Sequence, residues 1–268
     1  MPRRFPSLVV ALVLLSTAGA CKEAPEAPTG EPPGALTLFP SFFADQEILD
    51  PVLIPLYDEG VAYEAEGRDD CYRSHDLSMC DVLSTCVQDV DPTDVPSIVH
   101  TEVLDYPVQD VERALLQDDW TELFPSNYNS YEVTAEEGRE GYEAGEKHFY
   151  MRQYQAVMPV LTAEIASVTN LQFRRIDDWN GSGHPAVLIR GWYPEQPVSN
   201  SENVTSTMMF SYELLAPWED NTKTMRLFFT WSDLTIGNLS AGEAWGIACG
   251  QSKAGWSDLD DWISDNPR

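Results

Sequence analysis

From Ser97 onward the chain alternates apolar and polar positions with two periods, and those periods predict its elements. Ile98 to Leu104 reads as a short strand. Pro107 then opens a helix, because its fixed φ suits a first turn. Val108, Val111, Ala114 and Leu115 fall on one face of that helix. Asp118 to Phe124 reads as a second short helical turn, stopped by Pro125. Strand-like runs follow at Tyr128 to Thr134, Lys147 to Tyr154, Thr162 to Arg174 and Ala186 to Tyr193. Two later runs alternate strictly: Met208, Phe210, Tyr212, Leu214, and then Met225, Leu227, Phe229, Trp231. Period two places one set of side chains on a buried sheet face. Pro217 to Asn221 between the two runs reads as a turn.

After Ser240 the period becomes helical. Ser240 and Glu243 form a capping box, in which the Ser side chain takes one orphan N–H and the Glu reaches back to another. Trp245, Ala248, Cys249, Ser252, Trp256, Leu259 and Ile263 then form one stripe of a single helix. That helix is longer than about 20 residues and roughly 30 Å at 1.5 Å per residue. Short connections favour an antiparallel sheet, and an aromatic helical stripe must be buried against it. The fold class is therefore α+β, with a sheet of about seven strands and a long C-terminal helix.

The first 96 residues follow other rules. Arg3 and Arg4, the apolar run Leu8 to Leu15 and the small residues Ala18-Gly19-Ala20 read as a signal peptide over 1–20, too short to span a bilayer as a mature helix. Ala18-Gly19-Ala20 followed by Cys21 resembles a bacterial lipobox, with Ala18 where Leu is usual, and Cys21 as the lipidated residue. Ordinary signal peptidase could also cleave after Ala20. Residues 21–36 are Pro- and Glu-rich, like a stiff solvated tether. Residues 37–96 read as a Cys-containing N-terminal extension, with an apolar group broken by Pro40, Pro51 and Pro55 and a short helix near Asp76 to Val87.

Setting Cys21 aside leaves Cys71, Cys80, Cys86 and Cys249. Their spacing lacks the close pairs a zinc site needs. In an exported chain they read as two disulfides, with three connectivities open, each joining Cys249 to the extension. Lys22 after the lipobox is not Asp, which by resemblance to Gram-negative lipoproteins favours the outer membrane, facing the periplasm or exterior.

Charge narrows the partners. The chain has 268 residues, 16 Lys+Arg against 44 Asp+Glu, and a net charge of −28. Cleavage before Cys21 removes two basic residues and no acid, deepening the charge to −30. Such a chain does not bind nucleic acid through a basic face. With 43% hydrophobic and 11% aromatic residues it still has enough apolar surface for a packed core.

The residues from Ser97 to Asn266 resemble the START-like (SRPBCC, helix-grip) superfamily, which includes polyketide cyclases, plant Bet v 1-type proteins and the Hsp90-activator-homologue group. His100-Thr-Glu-Val-Leu-Asp-Tyr-Pro-Val-Gln-Asp-Val111 resembles the family's first strand running into its first helix, with Tyr106 where Ala is usual. Trp120 stands where an aromatic often follows that helix. Ala254-Gly-Trp-Ser-Asp-Leu-Asp-Asp-Trp262 is similar to the C-terminal helix of the activator-homologue group, with Trp262 replacing a Leu. The resemblance implies a domain over 97–268 whose sheet wraps around the C-terminal helix and encloses an apolar cavity. It implies a hydrophobic small molecule or lipid as partner, with Phe210, Tyr212, Phe229, Trp231, Trp245, Cys249 and Trp256 as lining residues. The bland alternative is that these side chains simply fill the core.

Catalytic signals are weak, and no catalytic residue, cofactor or metal is expected. The four histidines (His75, His100, His148, His184) are scattered. Gly181-Ser-Gly-His-Pro-Ala186 matches G-x-G-x-x-A but precedes a strand and contains Pro185, so it reads as a hairpin turn. Asp89 to Asp94 lacks the Gly and distal Glu of a calcium loop. Three functions follow in order. The first is a tethered envelope protein that binds an apolar ligand under the C-terminal helix. The second is a cyclase- or hydrolase-type enzyme using the same cavity, with Tyr154, His148 or Arg190 as the polar group. The third is a filled-core interaction domain.

Overall fold

All seven strands expected from the alternation form, and two short ones join them. The computed structural model describes residues 54, 57, 58, 60–62, 64, 65, 72–74 and 97–268. The strands are β1 (Tyr72–Ser74), β2 (Ser97–Leu104), β3 (Ser130–Glu137), β4 (Phe149–Val160), β5 (Ala163–Ile176), β6 (Ala186–Trp192), β7 (Val198–Ser199), β8 (Val204–Trp218) and β9 (Lys223–Ile236). They make one sheet in the order β1-β2-β9-β8-β6-β5-β4-β3, with β7 paired to β5. Every pairing is antiparallel.

The helices are α1 (Val108–Leu115), α2 (Trp120–Leu123), α3 (Arg139–Glu143) and α4 (Ala241–Asp265). Pro107 stands at the N-cap of α1, whose Val108, Val111, Ala114 and Leu115 are buried. Asp119 caps α2 by accepting from the Thr121 N–H. The capping box at Ser240 and Glu243 opens α4 with both of its reciprocal bonds present. The arrangement is the helix-grip fold: an antiparallel sheet with a long C-terminal helix laid across one face.

Some boundaries differ from the sequence reading. β4 runs on through Pro159 to Val160, where the Pro sits one pair from the hairpin end. β8 likewise continues to Trp218, and Pro217 pairs with Thr224. The turn therefore begins at Glu219, where Glu219, Asp220 and Asn221 all take positive φ. Gly181 to Ala186 connects β5 to β6 with positive φ at Gly181 and Gly183, as a hairpin turn requires. The expected helix at Asp76 to Val87 lies outside the described residues.

The register assigns side chains to two faces. On the outer face, Leu188 pairs with Leu214 and Leu214 with Leu227. Phe210, Tyr212, Leu214, Met225 and Leu227 are all buried there. Helical residues from the N-terminal extension cover this face. The Tyr57 hydroxyl donates to the Pro217 carbonyl at 3.1 Å. Its ring meets Trp179 at 5.6 Å and Trp218 at 6.1 Å. Gly60 approaches so closely that a Cβ there would stand 2.7 Å from Leu227 Cδ2. On the inner face, Leu259 and Ile263 of α4 join Val111, Leu115, Tyr154, Phe173, Ile189 and Leu215 in the main core.

Candidate functional site

The inner face does not pack completely against α4. A cavity of about 230 Å³ lies between them. Its floor is supplied by successive strands: Arg226, Phe228 and Thr230 on β9, Met209, Ser211 and Glu213 on β8, Ile189 on β6, Leu171 and Thr169 on β5, and Tyr154 and Met158 on β4. The roof is Ala248, Ser252, Gly255 and Trp256 of α4, and one wall is Leu115, Trp120, Phe124, Asn127 and Tyr128. Short floor residues leave the room: Ser211 pairs with Thr230, where larger side chains would reach the helix.

Several of the residues expected to line the cavity do not. Phe210 and Tyr212 are buried, but on the outer face, because the cavity takes their odd-numbered neighbours Met209, Ser211 and Glu213. The strict alternation is real; its apolar set faces the N-terminal cover rather than α4. Cys249 is buried and disulfide-bonded, beside the cavity-lining Ala248. Trp256 alone of the named set lines the cavity among the described side chains. The side chains of Phe229, Trp231 and Trp245 lie outside the described residues, as do Cys21, Cys71, Cys80 and Cys86.

One side of the cavity is charged. The Arg226 Nε donates to Glu213 Oε1 at 2.5 Å, and both side chains are nearly enclosed, at 4% and 10% exposure. Arg226 Nη1 lies 4.0 Å from Glu102 Oε2 and makes no hydrogen bond among the described residues. Burial pushes the Glu102 carboxyl above the usual carboxylate range, against the pull of Arg226. The guanidinium also lies 5.2 Å from the centre of the Trp256 ring, on which His100 stacks. An ion pair this enclosed forfeits much of its Coulomb energy to desolvation and so adds little net stability.

The opposite side is phenolic. Tyr128, Tyr154 and Tyr193 line it, with Trp120 packed 5.7 Å from Tyr154 and 6.0 Å from Tyr128. Burial is the first cause that raises the hydroxyl pKa of all three, so each stays a protonated donor across the physiological range. Asn127 closes this side against α4: a Cβ on Gly255 would stand 2.6 Å from its Nδ2. The next residue toward the N-terminus, Ser126, is clasped to α4 through its N–H and hydroxyl, 3.0 and 3.2 Å from the Asp258 carboxylate oxygens.

Beneath the aromatic wall lies Arg152, fully buried. It donates to the Leu115 and Gln117 carbonyls, both at 2.9 Å, where the negative end of α1 favours a cation. Its guanidinium lies 4.5 Å from the centre of the Trp120 ring. It thereby locks the end of α1 and the Trp120 wall to β4. Of the polar groups considered for an enzyme, only Tyr154 faces the cavity. His148 is exposed and 3.4 Å from Asp177. Arg190 donates to Gln172, its cross-strand partner in β5, and pairs in register with outer-face Tyr212.

Sequence reasoning missed Glu213 and Arg226. The signal was present as opposite charges within two largely apolar alternating runs, and the register brings them together diagonally, with Glu213 opposite Phe228 and Arg226 opposite Leu215.

No family model matches the chain, and no curated protein matches it in sequence. Solved structures with a similar chain path exist. A START superfamily protein from Mycobacterium smegmatis is similar at 6% identity, covering 64% of this chain and 99% of its own, with a TM-score of 0.45. A STAR-related lipid transfer protein from Xanthomonas axonopodis is similar at 10% identity, covering 73% and 99%, with a TM-score of 0.43. The Zhui aromatase/cyclase from a Streptomyces species is similar at 14% identity, covering 65% and 96%, with a TM-score of 0.39.

Proposed function

We propose that this chain is an exported, lipid-anchored protein of the cell envelope whose START-like domain binds a hydrophobic small molecule or lipid under α4. The observation that supports this most is the cavity. Its wall is mostly apolar and aromatic, and a few polar groups converge on it, which is the composition of a ligand site rather than a packing defect. At about 230 Å³ it suits a single chain or a few fused rings better than a two-chain lipid. Binding would bury the apolar body, and the polar groups would orient it.

Solvent extraction and mass spectrometry of purified protein test the reading, together with titration of a fluorescent fatty acid such as parinaric acid. Co-purifying ligand or saturable fluorescence is the expected result. An empty protein that leaves the probe unchanged overturns it. The anchor has its own test. Cells fed a clickable palmitate analogue should label the wild-type chain and not Cys21→Ala, and the wild type should fractionate with the outer membrane. An unlabelled, soluble wild type would remove the anchor while leaving the cavity reading intact.

A further inference from the structure

We infer that the cavity takes an elongated apolar ligand carrying a hydrogen-bonding group at each end, one met by Arg226 and Glu213, the other by Asn127 and the tyrosines. This rests on the ligand-binding reading above and specifies its ligand. The sheet order separates the two polar sides. Glu213 lies on β8 and Tyr154 on β4, with β6 and β5 between them. Three strand spacings make about 14 Å across the sheet. Between them the floor carries apolar Ile189 of β6 and Leu171 of β5, while Thr169 of β5 pairs in register with Tyr154 and belongs to the phenolic side. The site is thus polar, apolar and polar along one direction.

Unmet hydrogen-bonding capacity stands at both ends. Arg226 Nη1 and Asn127 Oδ1 are buried without a hydrogen-bond partner among the described residues, and so is the Ser252 hydroxyl in the helical roof. All three residues line the cavity. Buried polar atoms without partners carry a desolvation penalty that a ligand can remove. A ligand with one polar head relieves one end and leaves the other unpaired. A ligand with two heads relieves both, provided its apolar span matches the separation. Asn127 Oδ1 can only accept, and the phenols opposite remain donors, so a hydroxyl, which does both, suits that side.

The test uses the full chain and competition against bound parinaric acid, with calorimetry in parallel. The competitors are straight-chain α,ω-diols from octanediol to hexadecanediol, each matched with the mono-alcohol of equal length. The expected result is a diol advantage of about tenfold in Kd at an intermediate length, falling away at shorter and longer spans. Tyr154→Phe, which removes one hydroxyl and keeps the ring, should shrink that advantage, read as the ratio of diol to mono-alcohol Kd at the optimal length. Equal affinity of diol and mono-alcohol at every length, with the probe still bound, overturns the inference and leaves the binding reading standing. A diol advantage that rises steadily with length and has no optimum also overturns it. No probe binding, with diols silent in calorimetry, overturns both.

Discussion

On its outer face the sheet between β6 and β9 presents Leu188, Phe210, Tyr212, Leu214, Met225 and Leu227, all buried. One residue along on the same strands, the inner face presents Ser211, Glu213, Arg226 and Thr230 around open volume. Both faces are covered, one by the N-terminal extension and the other by α4. The outer face is packed to exclusion, down to a glycine pressed on Leu227. The inner face trades side-chain volume for room and accepts an enclosed ion pair. A strong apolar alternation therefore marks the closely packed face. The cavity face is marked by short and polar side chains where packing alone would place large apolar ones.

Breaking the outer face should produce the largest effect on stability and none on binding. Leu227→Ala removes a buried side chain from under Gly60 and should cost about 2–5 kcal/mol, because Gly60 packs on that side chain and has none of its own to fill the gap. Chemical denaturation measures the loss. Parinaric acid affinity, taken well below the midpoint, should stay unchanged. A matching loss of affinity would mean that the two faces are one coupled unit.

Filling the inner face should do the reverse. Ala248 points from α4 into the cavity, and Ala248→Phe places a ring where the ligand would lie. Probe affinity should fall by at least about tenfold, while stability changes by no more than about 1.5 kcal/mol, since the ring enters open volume rather than a packed core. A collapse in stability with little change in binding would place the ligand elsewhere.

The sequence made these two faces unequally legible. The α4 stripe and its capping box could be read because a helix facing a sheet has a single buried side, and Cys249, Trp256, Leu259 and Ile263 of that stripe are buried, with Ala248 and Ser252 half-buried at the cavity. The strands could be found for the same kind of reason, but their phase could not. A strand covered on both faces buries both alternating sets, and periodicity does not say which cover is the helix. Choosing the more apolar set put Phe210 and Tyr212 in the cavity, when their strand turns them to the opposite face. Asn127 and Tyr128 were out of reach for another reason. They sit in a connection between α2 and β3, and only the fold brings that loop against Gly255.

The smallest expected effect concerns the inner face alone and separates its ion pair from its neighbour. Arg226 is flanked by two carboxylates, with Glu213 bonded and Glu102 4.0 Å away. The Glu102 carboxyl is raised by burial despite the attraction of Arg226, with further upward pushes from Asp260, Glu64 and Glu213. A carboxyl raised in the folded state binds its proton more tightly there than in the unfolded chain. Its contribution is then complete below the unfolded carboxyl range and is lost as pH rises through the folded value. Above that value the fold carries a buried charge that burial penalises more than Arg226 rewards. Glu102→Gln keeps the shape and removes the charge. The midpoint of thermal unfolding should therefore rise slightly at neutral pH and stay level with wild type at acid pH. The wild-type decline between the two should flatten in the variant. Glu213→Gln should behave oppositely at neutral pH, because it removes the bonded partner and leaves the guanidinium without its closest carboxylate. A Glu102→Gln protein less stable than wild type at neutral pH would show that Glu102 is a working member of the ion pair, and that both carboxylates share Arg226.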